Sequence, residues 1–221
     1  NLAYGESTLI SLHYTDPEIA DEDAYFQDVL GHCETPHGDN ENRNGNLRKA
    51  CGMLDGLVLQ PGQELSYNEA LGPRTKELGW LPAPAYSGTK LVDSPGGGIC
   101  QVSSTLYLAS VYSELTIVER HNHGYPVSYI PLGMDATVSW GFADLKIRND
   151  SPMPVKIQAE ESDGYVRVSI LGTETRDYDV EMSYTVGGRY VRTYMSKIDK
   201  KTGEVISKEP YALSGYMDDI Y

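Results

Sequence analysis

The sequence predicts an α+β fold, in which helices pack on a mostly antiparallel sheet and a strand-rich C-terminal extension follows. Two helical runs and a succession of short strand-like segments carry this reading. Leu47, Cys51, Leu54 and Val58 are spaced to share one face of a helix over residues 47–59, and residues 102–111 form a second, more apolar helical run. From Ile117 to Leu171 short strand-like segments recur, and the tail carries hairpin turns at Gly187-Gly188 and Lys201-Thr202-Gly203. The expected organisation is one domain over residues 1–172, with an extension over 173–221 packed on it.

In chain order, residues 7–14 read as a short strand and residues 24–30 as a helix that Gly31 stops. The polar stretch 34–46, rich in Asn, Asp and Gly, reads as a loop, and Pro61-Gly62 ends the helix that follows it. Residues 65–86 are punctuated by Gly and Pro and read as turns and extended connectors. Residues 93–98 form a tight glycine-rich turn that feeds the second helix near Cys100. Strands are expected over 117–120, 125–130, 136–140, 143–148, 155–159 and 165–171. The tyrosines of the tail, among them Tyr184, Tyr190, Tyr194, Tyr211 and Tyr216, are expected to cover a sheet or line a cleft.

Charge narrows the function classes. The chain has 32 acidic against 18 basic residues, a formal charge of −14, which repels a phosphate backbone and disfavours nucleic-acid binding. Such a field favours cationic or amine-bearing partners, although solubility alone accounts for it as well. No apolar run approaches the ~20 residues of a membrane-spanning helix, and no signal-peptide pattern is present. The chain is therefore expected to be a processed or excised piece, with any membrane anchor outside it. Three cysteines leave two readings. Cys33 and Cys51 form a disulfide, as suits an oxidising compartment, or all three are buried thiols.

The run Pro95-Gly96-Gly97-Gly98-Ile99-Cys100-Gln101 holds the candidate chemistry. A cysteine nucleophile needs a thiolate, a base or cation that favours it, and donors for the oxyanion it creates. Gly97 and Gly98 let backbone N–H groups approach a substrate closely, and a helix beginning at Cys100 places the sulfur at its positive end. Gln101, Ser103 and Ser104 offer further donors in the first turn. Spacing alone favours a plain turn with a small core cysteine. A second cluster, Arg120-His121-Asn122-His123, offers a histidine base, and Asp135 beyond the next turn offers a carboxylate to orient it. The same histidines also fit a weaker zinc reading or a pair of surface residues.

These motifs resemble the VanW domain family of extracytoplasmic bacterial proteins over residues 46–172. The resemblance rests on Gly96-Gly97-Gly98-Ile99-Cys100-Gln101-Val102-Ser103, on Leu71-Gly72-Pro73-Arg74-Thr75, on Glu119-Arg120-His121-Asn122-His123 and on Gly133-Met134-Asp135-Ala136-Thr137. Some members are understood to be L,D-transpeptidases that make 3–3 peptidoglycan cross-links with the motif cysteine. The resemblance thus implies a cell-surface or cell-wall location, peptidoglycan stem peptides as partners, Cys100 as nucleophile and His123 as base, with His121 the second candidate. Chemistry assigns Asp135 to orient the base and Arg120 to hold a substrate carboxylate. No cofactor or metal is expected. The rival functions are an L,D-carboxypeptidase or endopeptidase using the same pair, and a non-catalytic peptidoglycan-binding module.

Overall fold

The structure, a computed structural model, describes residues 24–87 and 90–220. The strand expected at 7–14 lies outside them. The chain runs β1 (Asp28–Pro36), α1 (Glu41–Leu54), β2 (Val58–Leu59), β3 (Glu64–Ser66) and α2 (Tyr67–Leu71). It continues with β4 (Pro82–Ser87), β5 (Lys90–Pro95), α3 (Ile99–Tyr112), β6 (Thr116–Glu119), β7 (Lys146–Arg148), β8 (Val155–Ser162) and β9 (Tyr165–Gly172). The C-terminal part is β10 (Tyr178–Gly187), β11 (Tyr190–Asp199) and β12 (Val205–Gly215).

Pairing is antiparallel throughout the described sheets, in the orders β1-β9-β8-β2, β3-β7-β6, β4-β5 and β10-β11-β12. The first sheet carries the main core. Its strands alternate, so Cys33 and Thr35, Val155, Ile157 and Ala159, and Val166, Val168 and Ile170 all point inward while their neighbours face solvent. Helix α3 packs against β1 and β9, and α1 against β8. Helix α1 is amphipathic, burying Asn46, Leu47, Ala50, Cys51 and Leu54 at helical spacing. Helix α3 is instead buried on nearly every side, which places its first turn deep in the molecule.

Several elements differ from the sequence reading. Residues 28–36 form a strand rather than the end of a helix, because β9 supplies a hydrogen-bonding partner 137 residues away that no local pattern reveals. Gly31 is therefore not a helix stop. A Cβ there would lie 2.5 Å from the Ala109 carbonyl oxygen, so glycine lets β1 press directly against α3. The loop expected over 34–46 is part strand and part helix. Asn40 caps α1 by accepting from the Arg43 N–H at 2.9 Å, which starts the helix at Glu41. That helix stops at Leu54, earlier than expected, where Asp55 turns extended and Gly56 takes φ +80°. Residues 125–130 and 136–140 hold no regular strand beyond isolated bridges such as His121 with Thr137.

Cys33 and Cys51 are both free thiols, not a disulfide. One faces inward from β1 and the other from α1, each buried in the apolar core. Burial, with nearby carboxylates adding to it, pushes both up to about 12, so neither ionises near neutrality.

The β1–α3 contact gives a direct test. Gly31→Ala forces a methyl into an immovable backbone carbonyl, and overpacking of this kind should cost ~2–3 kcal/mol in denaturant unfolding. If residue 31 merely ended a surface helix, the loss would stay within ~0.5 kcal/mol, the range of exposed substitutions.

Candidate active site

The glycine turn and α3 fix the cysteine. Gly98 is the helix N-cap with φ +105°, and Cys100 follows in the first turn. The buried Asn46 side chain clamps this turn, donating to the carbonyls of Leu81 at 2.9 Å and Gly97 at 3.0 Å while accepting from the Leu81 N–H. The Tyr67 hydroxyl donates to the Ile99 carbonyl at 2.9 Å. Helix α3 is then pinned to the segment 135–138. Ser103 donates to the Ala136 carbonyl at 2.7 Å, and Ser104 accepts from the Ala136 N–H at 2.9 Å. This brings Thr137 and Val138 beside Cys100, whose thiol lies 3.5 Å from the Val138 carbonyl and 3.7 Å from the Thr137 hydroxyl.

The structure brings Cys100, His123 and Asp135 together. Asp135 is 1% exposed, and its Oδ2 accepts from the His123 ring Nδ1 and from the His123 backbone N–H, each at 2.6 Å. Its Oδ1 accepts from the Tyr216 hydroxyl at 2.9 Å and lies 3.4 Å from Arg120 Nη2. Burial would raise this carboxyl, but the His123 hydrogen bonds and the Arg120 charge outweigh it and hold the group ionised. With Nδ1 committed to Asp135, the ring presents Nε2 to the thiol.

The two titrating groups support each other's charge. Burial disfavours imidazolium, yet the Asp135 hydrogen bond and the Cys100 interaction bring His123 up to about 9. Burial likewise pushes the Cys100 thiol up, but the neighbouring His123 and, to a smaller extent, Val138 and Thr137 draw it below the ordinary cysteine value. The Val138 carbonyl can only accept, so it holds the thiol and is released when the proton leaves. The thiol at the start of α3 and the imidazole thus face the same cleft, each shifted in the direction that favours its charged form.

This pair stands on the floor of a cleft of about 610 Å³ walled by Arg43, Arg74, Val127, Tyr129 and Trp140. Burial pushes the Tyr129 phenol well up, so it stays a neutral hydroxyl.

The other predicted residues play different parts. His121 turns outward to the Glu119 carboxylate at 3.0 Å and is half exposed, so it does not reach Cys100. A zinc site would need the two histidines together, and they point apart. Arg120 does not face the cleft. It is bonded inward to the carbonyls of Asp135 at 2.6 Å and Gly133 at 3.0 Å and to the Ser214 hydroxyl at 2.8 Å, and it packs over Tyr107. Its place is behind Asp135, with four of its five N–H donors spent on the Asp135, Gly133 and Ser214 contacts. The Gln101 side chain is spent on Thr35 and Pro36 of β1 and on Arg43. Ser103 and Ser104 are buried anchors of α3. Gly97 N–H already donates to the Ser94 carbonyl at 3.0 Å, whereas Gly98 remains at the mouth of the turn. Arg43, Arg74, Tyr129, Thr137, Trp140 and Tyr216 complete the site. Arg74 and Thr137 lie inside the motifs quoted above, which was the one signal that pointed to them.

A family model described as VanW like protein matches residues 42–171. The chain belongs to the VanW family. Its region 42–171 contains the cysteine turn, His123 and Asp135. A protein of Bacillus subtilis (strain 168), printed as uncharacterized protein YoaR, is 36% identical over 135 residues, covering 61% of this chain and 45% of that protein. The vancomycin B-type resistance protein VanW of Enterococcus faecalis (strain ATCC 700802 / V583) is 31% identical over 160 residues, covering 69% of this chain and 57% of that protein. The chain thus spans about half the length of the curated relatives it matches. No solved structure matches it.

The charge coupling predicts a pH signature. Cys100 of the wild type should react with iodoacetamide well below pH 9, because His123 supplies the compensating cation up to about 9. In His123→Ala, burial is opposed only by the weaker Val138 and Thr137 contacts, and the midpoint of the alkylation profile should move upward. Asp135→Asn should move it in the same direction by less. Superimposable profiles for wild type and His123→Ala, read by mass spectrometry at Cys100, would contradict the pairing.

Proposed function

We propose that this VanW-family chain is a cysteine acyltransferase of the cell wall, an L,D-transpeptidase that forms 3–3 cross-links between peptidoglycan stems. The observation that carries the reading is the placement of Cys100 and His123 in one cleft, with the His123 ring hydrogen-bonded to the buried Asp135. The printed name of the Enterococcus relative, a vancomycin-resistance protein, supports a cell-wall setting. On this reading the protein works outside the cytoplasm, and its partners are stem peptides. Among the described residues no helix is long and apolar enough to cross a membrane.

In the first step the Cys100 thiolate attacks the carbonyl carbon of the third stem residue. The oxyanion forms at the start of α3. There the N–H groups of Ile99 and Gln101 are taken by the carbonyls of Gly96 and Gly98, which assigns the oxyanion to the N–H groups of Gly98 and Cys100. Each well-placed donor of this kind lowers the barrier by ~3–4 kcal/mol. The imidazolium of His123 gives its proton to the leaving amine, and D-Ala departs to leave a thioester. His123, now neutral, takes a proton from the incoming side-chain amine of a second stem, which attacks the thioester and restores the thiolate. Asp135 stays ionised throughout and holds the ring in one tautomer.

Purified muropeptides test this directly. Wild type should release D-Ala and yield a 3–3 dimer, with a thioester on Cys100 trapped by mass spectrometry. Cys100→Ala should do neither, and His123→Ala should lose at least ~100-fold in rate, the usual contribution of a general acid–base. D-Ala release without dimer would make the chain a hydrolase. Identical profiles for wild type and Cys100→Ala would end the catalytic reading.

A further inference from the structure

Two cations in the cleft wall have no carboxylate to answer them, and beside them stand the Cys100 thiol and tyrosine phenols. Arg43 and Arg74 are each partly buried, and neither lies within ion-pair distance of a carboxylate among the described residues. This holds in a chain with 32 acidic side chains. Their contacts are neutral. Arg43 Nη2 donates to the Gln101 carboxamide at 2.7 Å, and Arg74 donates to the Gly72 carbonyl at 2.7 Å and the Asn68 carboxamide oxygen at 2.8 Å. The Arg74 Nε is buried with no partner at all. The carboxylate felt by Arg74, Asp144, has its own oxygens occupied by the N–H groups of Asn68 and Leu145 and by the Ser66 hydroxyl. A buried cation without a counter-charge is costly, and structures tolerate it where a ligand supplies the missing charge.

The glycine turn holds both arginines at the thiol. A Cβ on Gly96 would lie 2.8 Å from Arg74 Cγ, and one on Gly98 would lie 2.7 Å from Arg43 Cγ. The two side chains therefore pass along opposite ends of the turn that presents Cys100, in space only glycine leaves open. The Arg74 guanidinium also lies over the rings of Tyr67 and Trp140, each centroid 5.8 Å away, and it lines the cleft.

We infer that Arg43 and Arg74 form an anion subsite that binds a carboxylate of the acyl donor beside Cys100. The inference rests on the proposed acyl transfer for the identity of the ligand, while the subsite itself stands on geometry. It moves the carboxylate-binding role from Arg120, whose guanidinium is spent behind Asp135, to the cleft wall. A planar guanidinium suits a carboxylate because two parallel N–H groups meet its two oxygens.

Alkylation separates this subsite from catalysis. Iodoacetate and iodoacetamide both transfer a methylene group to the thiolate and expel iodide, and they differ only in carrying a carboxylate or a neutral amide. Cys33 and Cys51, buried and un-ionised, stay silent, so the readout is Cys100. A net charge of −14 repels the anionic reagent overall. Wild type should nevertheless show an iodoacetate-to-iodoacetamide rate ratio at least ~10-fold above that of a free small thiol such as 2-mercaptoethanol, with saturation in iodoacetate. Arg74→Gln, and separately Arg43→Gln, should lower the ratio ~10-fold when each is measured on its own pH plateau. N-acetylglycine should protect wild-type Cys100 from iodoacetamide, and N-acetylglycinamide should not. This last comparison needs no variant and so survives a folding defect. A wild-type ratio equal to the free thiol, or no protection by the acid, overturns the subsite. Anion preference without any reaction on muropeptides would keep the subsite and refute only the acyl transfer.

Discussion

The buried carboxylate of Asp135 is the constraint from which the site is built. An ion at 1% exposure costs several kcal/mol unless its lone pairs are filled, and here they are filled from two separate stretches of chain. His123 gives a backbone and a ring N–H, Arg120 a guanidinium edge, and Tyr216 a hydroxyl. Because each donor has another tie, the carboxylate cannot shift alone. Arg120 also holds the carbonyls of Gly133 and Asp135 itself, and the Tyr216 oxygen accepts from the Gly133 N–H. The ring that meets Cys100 is thus oriented by a network rather than by one bond.

The cysteine is brought to that ring by a different device. Helix α3 is buried on most sides, and its small polar residues are turned to internal use. Ser103 and Ser104 fasten it to Ala136, one residue beyond Asp135. Thr105 meets Thr35 of β1 at 2.9 Å, and Gln101 reaches the same strand. The helix is therefore registered at once to the sheet and to the segment holding the base. Any displacement of Cys100 relative to His123 would break several buried hydrogen bonds, each costly to leave unmade.

Much of this was legible in the sequence where local chemistry and motif coincide. The glycine turn, Cys100, His123 and Asp135 are brought together in the structure, and both helices sit near their expected places. What was not legible depends on long-range geometry. Residues 28–36 carry an ambiguous apolar pattern, and only pairing with β9 makes them a strand. Arg120 beside two histidines looks like a substrate clamp, but sequence does not say which way a guanidinium points. Gln101, Ser103 and Ser104 look like free donors because they are polar, yet a helix enclosed on all sides must satisfy its polar side chains internally. Cys33 and Cys51 fit a disulfide by count, and the fold instead uses each as a small apolar filler on a different element.

The C-terminal extension gains a role from the same network. The strands β10, β11 and β12 form a sheet of their own, so the extension does not complete the main sheet. It still reaches the active site. Ser214 at the end of β12 accepts from Arg120, and Tyr216 just beyond it donates to Asp135. Tyr216 is nearly fully buried, and its phenol is pushed well up by burial and by the adjacent carboxylate, so it remains a donor at any physiological pH. Val191 and Thr193 of β11 also lie against Gly133, the residue whose N–H and carbonyl serve Tyr216 and Arg120. Residues 214–216 fall outside the span that matches the family model, so the motif region supplies Cys100, His123 and Asp135 while sequence beyond it supplies part of the support of Asp135. The extension is thereby coupled to His123 through a single carboxylate. A change in how it packs would be felt first in the acidity of that histidine and, through it, in the reactivity of Cys100.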